Sequence, residues 1–538
     1  MEKKTILAII LCLVIWFVWQ ALFIKPPEQQ PTPVEEANVS VPEQKDDKPV
    51  QTPPENRPEE KTAVLENELL AVTFSTRGAA PNSIEIKKFR ARDINRGIQQ
   101  TLENIVSTND ERQRPFRIDF KNAAVQSAFP AYTDWRLVRQ ETRQLEFSIN
   151  LPEQGLEIIK NYRLLEQPYT LELTVSITNT GSSSSEPQLV VENHGKILEG
   201  VSSGCFSPPV TPRSAKCFAG GQIYQASKNA DSESAQPQVT WTAVDEQYFI
   251  SAIIPQQIEQ AACRVEGFED HVTASLVLPQ ESISPGGQKE YRFLLYLGPK
   301  QVELLEKVTG GAGNHDRPAG LNKAVDYGWL AVLCYPMLWA LKFFYRGIHN
   351  YGIAIIILTI IIKILLQPLT NKSMKSMKEM SKIKPLMDQI REKYKDDKER
   401  LNQEIMNLYK THKINPLGGC FPMLLQMPIW IALYRMLYSA VELYQAPFIP
   451  GWIDDLSWRD PWFIMPVLLG VTMFLQQKLT PSAMDSQQAK MMLYIMPVFF
   501  TFIMLYLPSG LVLYIFVSSL LSIGQQIWMN RKSAESKA

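Results

Sequence analysis

The sequence predicts an α-helical polytopic membrane protein of six transmembrane helices that carries a large all-β sandwich domain. Three observations point there. A polar stretch of about 300 residues precedes a strongly apolar one, so the average composition describes neither half. Within the polar stretch, short apolar runs alternate with period two between turn residues. Within the apolar stretch, runs of helix length recur with few charges.

At the start, Lys3 and Lys4 precede the apolar run Ile6 to Ile24, which is long enough to span and is followed by no small-residue cleavage site. Residues 1–25 are therefore expected to form an uncleaved anchor with its N-terminus inside. Residues 26–60 mix proline, glutamate, glutamine and lysine, a composition that buries too little to fold, and read as a tether on the outer side. Residues 61–305 read as the sandwich. Leu171, Leu173, Val175 and Ile177 alternate with Glu172, Thr174 and Ser176, and Leu145 to Leu151 and Val272 to Leu278 follow the same rule. With His194 and His271 sparse and the acids on outward positions, this part offers no catalytic constellation.

A glycine-rich hinge, Gly310 to Gly320, leads to residues 321–346, whose Trp329, Trp339, Phe343 and Tyr345 suit an amphipathic helix on the outer membrane surface. Residues 347–530 form the helical core, with spans expected at about 352–369, 420–441, 462–477, 492–507 and 511–528. Between the first two, residues 371–416 hold twelve lysines and arginines against seven acids, which places them in the cytoplasm. There Ile383, Met387, Ile390 and Tyr394, and then Leu401, Ile405 and Leu408, repeat at helical spacing and predict a two-helix hairpin with one apolar seam. Met374, Met377 and Met380 would extend that seam towards the membrane. The tail, 531–538, returns to the cytoplasm with Arg531 and Lys532.

The span from Ile353 to Thr370 contains one cation, Lys363, and a charge in hydrocarbon costs roughly 3 kcal/mol on insertion scales. Thr359 and Gln367, four residues on either side, would share its face of the helix, which is expected to end near Asn371. Snorkelling to that end is the structural alternative. Gln426, Gln476, Gln477 and the four-spaced set Tyr514, Ser518 and Ser522 supply polar partners on later spans, and no span supplies a carboxylate. Together these residues predict a wet groove whose acidic partner is a visitor. Of the six cysteines, Cys205 and Cys217 could pair in an oxidising compartment, although a domain of this size does not require a disulfide framework. Neither C-x-x-C nor a Walker motif occurs, so no metal, nucleotide or other cofactor is expected.

The stretches KILLQPLT (Lys363 to Thr370), NPLGGCFPMLLQMP (Asn415 to Pro428), YQAPF (Tyr444 to Phe448), GVTMF (Gly470 to Phe474) and LPSGLVLY (Leu507 to Tyr514) resemble the YidC membrane-protein insertases of Gram-negative bacteria. The resemblance runs through the whole chain. It implies an inner-membrane protein with a periplasmic sandwich and a five-helix insertase core, whose positively charged hydrophilic groove opens to cytoplasm and lipid. Lys363 falls where the groove's cation sits, and Thr359, Gln367, Gln426, Tyr514 and Ser518 would line it. The implied partners are nascent membrane proteins, ribosome–nascent chain complexes, the Sec translocon and the bilayer, with no nucleic-acid sequence recognition and no chemical conversion. Two positions depart from the pattern. The family usually has arginine where Lys363 stands, which implies that a point charge suffices, and Ile515 replaces a second aromatic residue after Tyr514. A small-solute transporter or channel using the same groove is the other reading, against which stand the lack of an inverted repeat and of an intramembrane carboxylate.

Overall fold

The structure is a computed structural model that describes residues 57–535, apart from 94–96, 107, 109, 122–131, 198–212, 231–232, 236–237, 257, 259, 311–316, 396, 413–420 and 481–485. The anchor at 1–25, most of the tether at 26–60, most of the glycine hinge, Cys205 and the last residues of the tail lie outside the described residues.

Among the described residues, eighteen strands run from Thr62 to Pro299 and form three antiparallel sheets of four, five and nine strands. In the nine-stranded sheet, Phe249–Gln256, Gln288–Pro299, Thr170–Asn179, Leu156–Leu164 and Gln144–Leu151 lie side by side in that order. Leu171, Leu173, Val175 and Ile177 all point inward and are fully buried, as period-two patterning requires. In Phe249–Gln256 alternation disappears, because the strand is buried on both faces from Phe249 to Pro255.

Among the described residues one disulfide is present, and it is neither of the two expected outcomes. Cys217, on Ser214–Ala219 of the nine-stranded sheet, pairs with Cys263, on Ala262–Gly267 of the five-stranded sheet. Both sulfurs are buried, and the bond staples the two sheets across 46 residues of sequence. A second internal fastener is Lys160, which is completely buried. Its ammonium donates to the carbonyls of Ala79 (2.7 Å) and Phe116 (2.9 Å), with that of Gly78 at 3.5 Å. Ala79 and Phe116 both hold left-handed backbone conformations (φ 44° and 60°), so one amine ties down two strained turns. Burial pushes this amine well below its ordinary pKa, and Arg117 adds to the effect.

Eight helices of two or more turns follow among the described residues. Two isolated turns, Leu321–Ala324 and Gly328–Leu330, precede α1 (Ala331–Ile348), so the expected continuous helix over 321–346 starts later. The break falls at Asp326, whose carboxylate accepts the Gly328 N–H, and at Gly328 itself, with φ +64°. In α1, Cys334, Leu338 and Leu341 face inward while Val332, Trp339 and Phe343 are exposed, as is Trp329 in the turn before it. A left-handed His349 ends it, and Asn350 caps α2 (Tyr351–Lys382) through the Ile353 N–H.

At 32 residues, α2 runs past Asn371, where the sequence suggested an end. Pro368 does not stop it. The next residues are lysine, methionine, serine and glutamate, mostly good helix formers, so Met374, Met377 and Met380 belong to this same rod. Then α3 (Lys384–Lys393) and α4 (Lys398–Thr411) make the hairpin, with Asp397 capping α4 through the Arg400 N–H. Ile383 and Met387 form its core, with Met380, Ile405, Leu408 and Tyr409 packed against them. The remaining helices are α5 (Phe421–Ser439), α6 (Ile464–Leu479), α7 (Ser486–Met504) and α8 (Ser509–Glu535). Among the described residues, Gly328–Ile348, Tyr351–Lys382 and Ser509–Arg531 are long and apolar enough to cross a membrane, and Ile464–Leu479 and Met491–Met504 are shorter apolar helices.

Candidate functional site

A run of polar contacts joins α2, α5, α6 and α8. It starts from the composition of α8, where Ser518 and Ser522 lie one turn apart on one face and Ser519 and Gln526 lie two turns apart on a neighbouring one. In a helix hydrophobic over most of its surface, such groups must find partners on other helices or in water.

The Lys363 ammonium, on α2, donates to the Ser522 hydroxyl (Nζ to Oγ 2.8 Å). Ser522 in turn donates to the Ser518 carbonyl (2.9 Å), and the Gln426 amide on α5 donates to the Ser518 hydroxyl (2.8 Å). Tyr514 lies one turn before Ser518 and is buried. On the other face, the Ser519 hydroxyl donates to Gln476 Oε1 on α6 (2.7 Å), and that of Thr480 reaches Gln526 Oε1 (3.4 Å). Further down α8, Gln525 donates to Asn371 Oδ1 (2.7 Å) and the Met529 carbonyl accepts from Lys378 (3.0 Å). The rod α2 is thus tied to α8 at three levels.

Of the residues singled out from sequence, Lys363, Ser522, Ser518 and Gln426 meet through this chain, Gln476 joins α8 through Ser519, and Tyr514 adjoins the chain. Thr359 and Gln367, on the same helix as Lys363, do not join it. Thr359 is fully buried and donates its hydroxyl to the Ile355 carbonyl four residues back (2.7 Å), so it is satisfied within its own helix. Gln367 is exposed. Sequence reasoning missed Ser519, Gln526 and Asn371. The spacing of seven between Ser519 and Gln526 was the available signal.

Lys363 therefore keeps spare donors. An ammonium has three N–H groups and the Ser522 hydroxyl occupies one, while no carboxylate of the described residues comes within ion-pair distance. In a medium of low dielectric this leaves a strong, unspent attraction for an anion. An open apolar cleft lies elsewhere, between α6 and α7, lined by Val467, Gly470, Phe474, Pro497 and Thr501. It has the character of a lipid-facing surface and carries none of the ladder's polar groups.

A sheet-rich domain attached to helices long and apolar enough to cross a membrane defines a polytopic membrane protein. Comparison with known proteins gives its family. The family model described as "60Kd inner membrane protein" matches residues 343–536, and that of the "YidC periplasmic domain" matches residues 62–340. The chain is 35% identical to the membrane protein insertase YidC of Geotalea daltonii over 99% of both chains, and 36% identical to that of Geobacter sulfurreducens over the whole of both. It belongs to the YidC family of membrane protein insertases. Among solved structures, an active YidC insertase crystal structure with its first transmembrane domain resolved aligns over 87% of this chain and 92% of its own, at 18% identity and a TM-score of 0.38. A galactose mutarotase related enzyme from Lactobacillus acidophilus aligns over 44% of this chain and 97% of its own, at 11% identity and a TM-score of 0.33.

Proposed function

We propose that the chain inserts newly made inner-membrane proteins, and helps them fold, through a hydrophilic, positively charged groove centred on Lys363. The observation that carries this reading is the partly satisfied ammonium: one hydroxyl partner for three N–H donors, and no carboxylate at ion-pair distance among the described residues. In this reading the N- and C-termini and the hairpin α3–α4 are cytoplasmic, the sandwich is periplasmic, and α1 lies at the outer interface. The same reading has the chain cross the bilayer six times. A nascent chain, delivered by a ribosome or beside the Sec translocon, meets the hairpin first. Its polar segment then enters the groove, where hydration and Lys363 lower the cost of carrying carboxylates part-way across, while its apolar segment partitions into lipid. Burial of roughly 20 apolar residues drives the process, and the membrane potential adds about 2.3 kcal/mol per acidic charge per 100 mV.

The test uses two clients that differ only in the carboxylates of their translocated tails, inserted into vesicles carrying the parent or a variant at equal abundance. Lys363→Arg is expected to insert both. Lys363→Ala is expected to insert the acidic client at least ten-fold more slowly, equivalent to ~1.4 kcal/mol, and the neutral one within about two-fold. Equal insertion of both clients by Lys363→Ala and the parent overturns the groove-charge mechanism.

A further inference from the structure

The outer loop between α5 and α6, Ala440 to Phe463, touches three bodies at once. Towards the sandwich, the Tyr444 ring is enclosed by Phe89, Tyr248 and Phe249, with centroids at 5.8, 4.4 and 5.7 Å, and its hydroxyl donates to Glu103 (3.1 Å). Beside it, Gln445 holds a left-handed backbone (φ 57°) that turns its amide onto the Arg90 backbone of an edge segment. There Oε1 accepts the Arg90 N–H (3.0 Å) and Nε2 donates to the Arg90 carbonyl (2.5 Å), which copies the pairing of a β-ladder with one side chain.

Towards the helices, the same loop holds the first turn of α8. The Trp458 carbonyl accepts the Ser509 N–H (2.6 Å), the Leu456 carbonyl accepts the Gly510 N–H (2.9 Å), and the Asp455 carbonyl accepts the Ser509 hydroxyl (3.1 Å). Asp455 also closes the loop on itself, since its carboxylate accepts the Gln445 N–H (3.1 Å). Towards α2, the Phe448 carbonyl accepts from Asn350 (2.9 Å), and a side chain at Gly352 would run into the Phe448 ring. One loop thus anchors the outer ends of the two helices that carry Lys363 and Ser522.

We infer that Tyr444 and Gln445 are positioning residues through which the sandwich fixes the outer end of the polar ladder, by way of Asp455 and the turn Ser509–Gly510. The physical warrant is a contiguous, packed and hydrogen-bonded path from Arg90 to Ser509, with the buried Asp455 carboxylate joining its halves. Its bearing on insertion rests on the groove reading above, whereas its test does not involve Lys363.

The experiment follows backbone amide exchange in the full chain in phosphatidylethanolamine–phosphatidylglycerol vesicles, for the parent, Tyr444→Phe, Tyr444→Ala and Phe89→Ala. Exchange at Arg90 reports whether the socket has opened, and exchange at Ser509 and Gly510 reports the far end of the path. Exchange in Leu156–Leu164 reports the sandwich itself. Both alanine variants, one on each side of the contact, are expected to speed Arg90 and Ser509–Gly510 at least ten-fold with Leu156–Leu164 unchanged, while Tyr444→Phe stays within about three-fold of the parent. An Arg90 amide that opens while Ser509 and Gly510 exchange as in the parent overturns the inference. So does an Arg90 amide that stays closed when the Tyr444 ring is removed. Faster exchange in Leu156–Leu164 with Phe89→Ala attributes that variant's effect to unfolding, and Tyr444→Ala then decides alone.

Discussion

Lys160 in the sandwich and Lys363 in the helical core are the same residue type withdrawn from water with no carboxylate at ion-pair distance among the described residues, and they are held in opposite ways. Lys160 is enclosed by backbone carbonyls, with the Tyr162 and Trp135 rings 5.3 and 5.7 Å from its ammonium. Its hydrogen-bonding capacity is used up. Lys363 gives one bond to a serine and keeps the rest. The difference teaches that burial and an absent counter-ion do not by themselves mark a functional cation. What distinguishes the functional candidate is donor capacity left unspent in a place a ligand can enter.

The comparison is sharpened by asking what each region loses when a fastener is removed. The largest stability effect is expected from the Cys217–Cys263 bond, whose 46-residue separation corresponds to about 4 kcal/mol in the chain-entropy account. Replacing both cysteines with alanine is expected to lower the denaturation free energy of the sandwich by that order, read from denaturant titration under oxidising conditions. The helical region should keep its transition. Next comes Lys160→Ala, at about 3 kcal/mol, because it opens a cavity and leaves the Phe116 carbonyl without its donor. Insertion by this variant should follow the amount of folded protein, and a loss of insertion per folded molecule would mean that Lys160 does more than hold two turns.

The hairpin comes third. Met387→Ala removes a buried side chain from a core only two residues deep, and about 2 kcal/mol of local stability is expected to go with it. Amide exchange across Lys384–Thr411 should then speed up while α8 is unchanged. Equal exchange in the two segments would show that hairpin and core open as one unit.

How far these features could be read in advance follows from how local each one is. Leu171 to Ile177 was legible because one face is buried and the other is not, whereas Phe249–Gln256 is covered on both faces and shows no period to read. Cys263 could not be matched to Cys217 from spacing, since the pairing depends on which strands of two different sheets face each other. The extent of α2 was misjudged because Pro368 and a charged run look like a terminus, while helix propensity beyond the proline carries the rod another fourteen residues to Lys382. At the site, the four-residue spacing of Tyr514, Ser518 and Ser522 pointed to one face of α8 and Lys363 meets that face. Thr359 was misplaced because a hydroxyl can satisfy itself on its own helix, a choice that sequence position does not reveal.

Smaller effects come from titration in the sandwich. Arg112 beside Asp110 holds that carboxyl below its ordinary value of 3.8. Burial would raise Glu60 above 4.5, but the Ser75 hydroxyl and Arg114 outweigh it and hold it low. A carboxylate depressed in the folded state contributes stability above its unfolded pKa and loses it as pH falls through the folded value. Denaturation midpoints of the sandwich are therefore expected to drop below about pH 4, with Asp110→Asn flattening part of the drop. Lys160 has the same sign in a higher pH window, where it removes stability on the acid side. Its folded pKa is depressed, the unfolded chain binds the extra proton, and stability rises with pH between its folded value and 10.5. Lys160→Met should remove that alkaline rise, and its survival would assign the rise to another group.

The smallest stability effect is expected where the functional effect is largest. Lys363→Met keeps a long unbranched side chain of similar volume and takes a costly charge out of the bilayer. Ser522 does not lose its own donation, since its hydroxyl already bonds the Ser518 carbonyl. The variant should therefore unfold at the parent's denaturant midpoint or above it, while inserting clients with acidic tails at least ten-fold more slowly. That combination separates Lys363 from Lys160, whose removal costs the fold and leaves insertion per folded molecule alone. A drop of about 2 kcal/mol in Lys363→Met, the scale of a buried polar network losing a member, would put the two lysines in the same class. The Lys363–Ser522 bond would then be helix glue, and the acidic segment of a client would have to find its partner elsewhere on the helices.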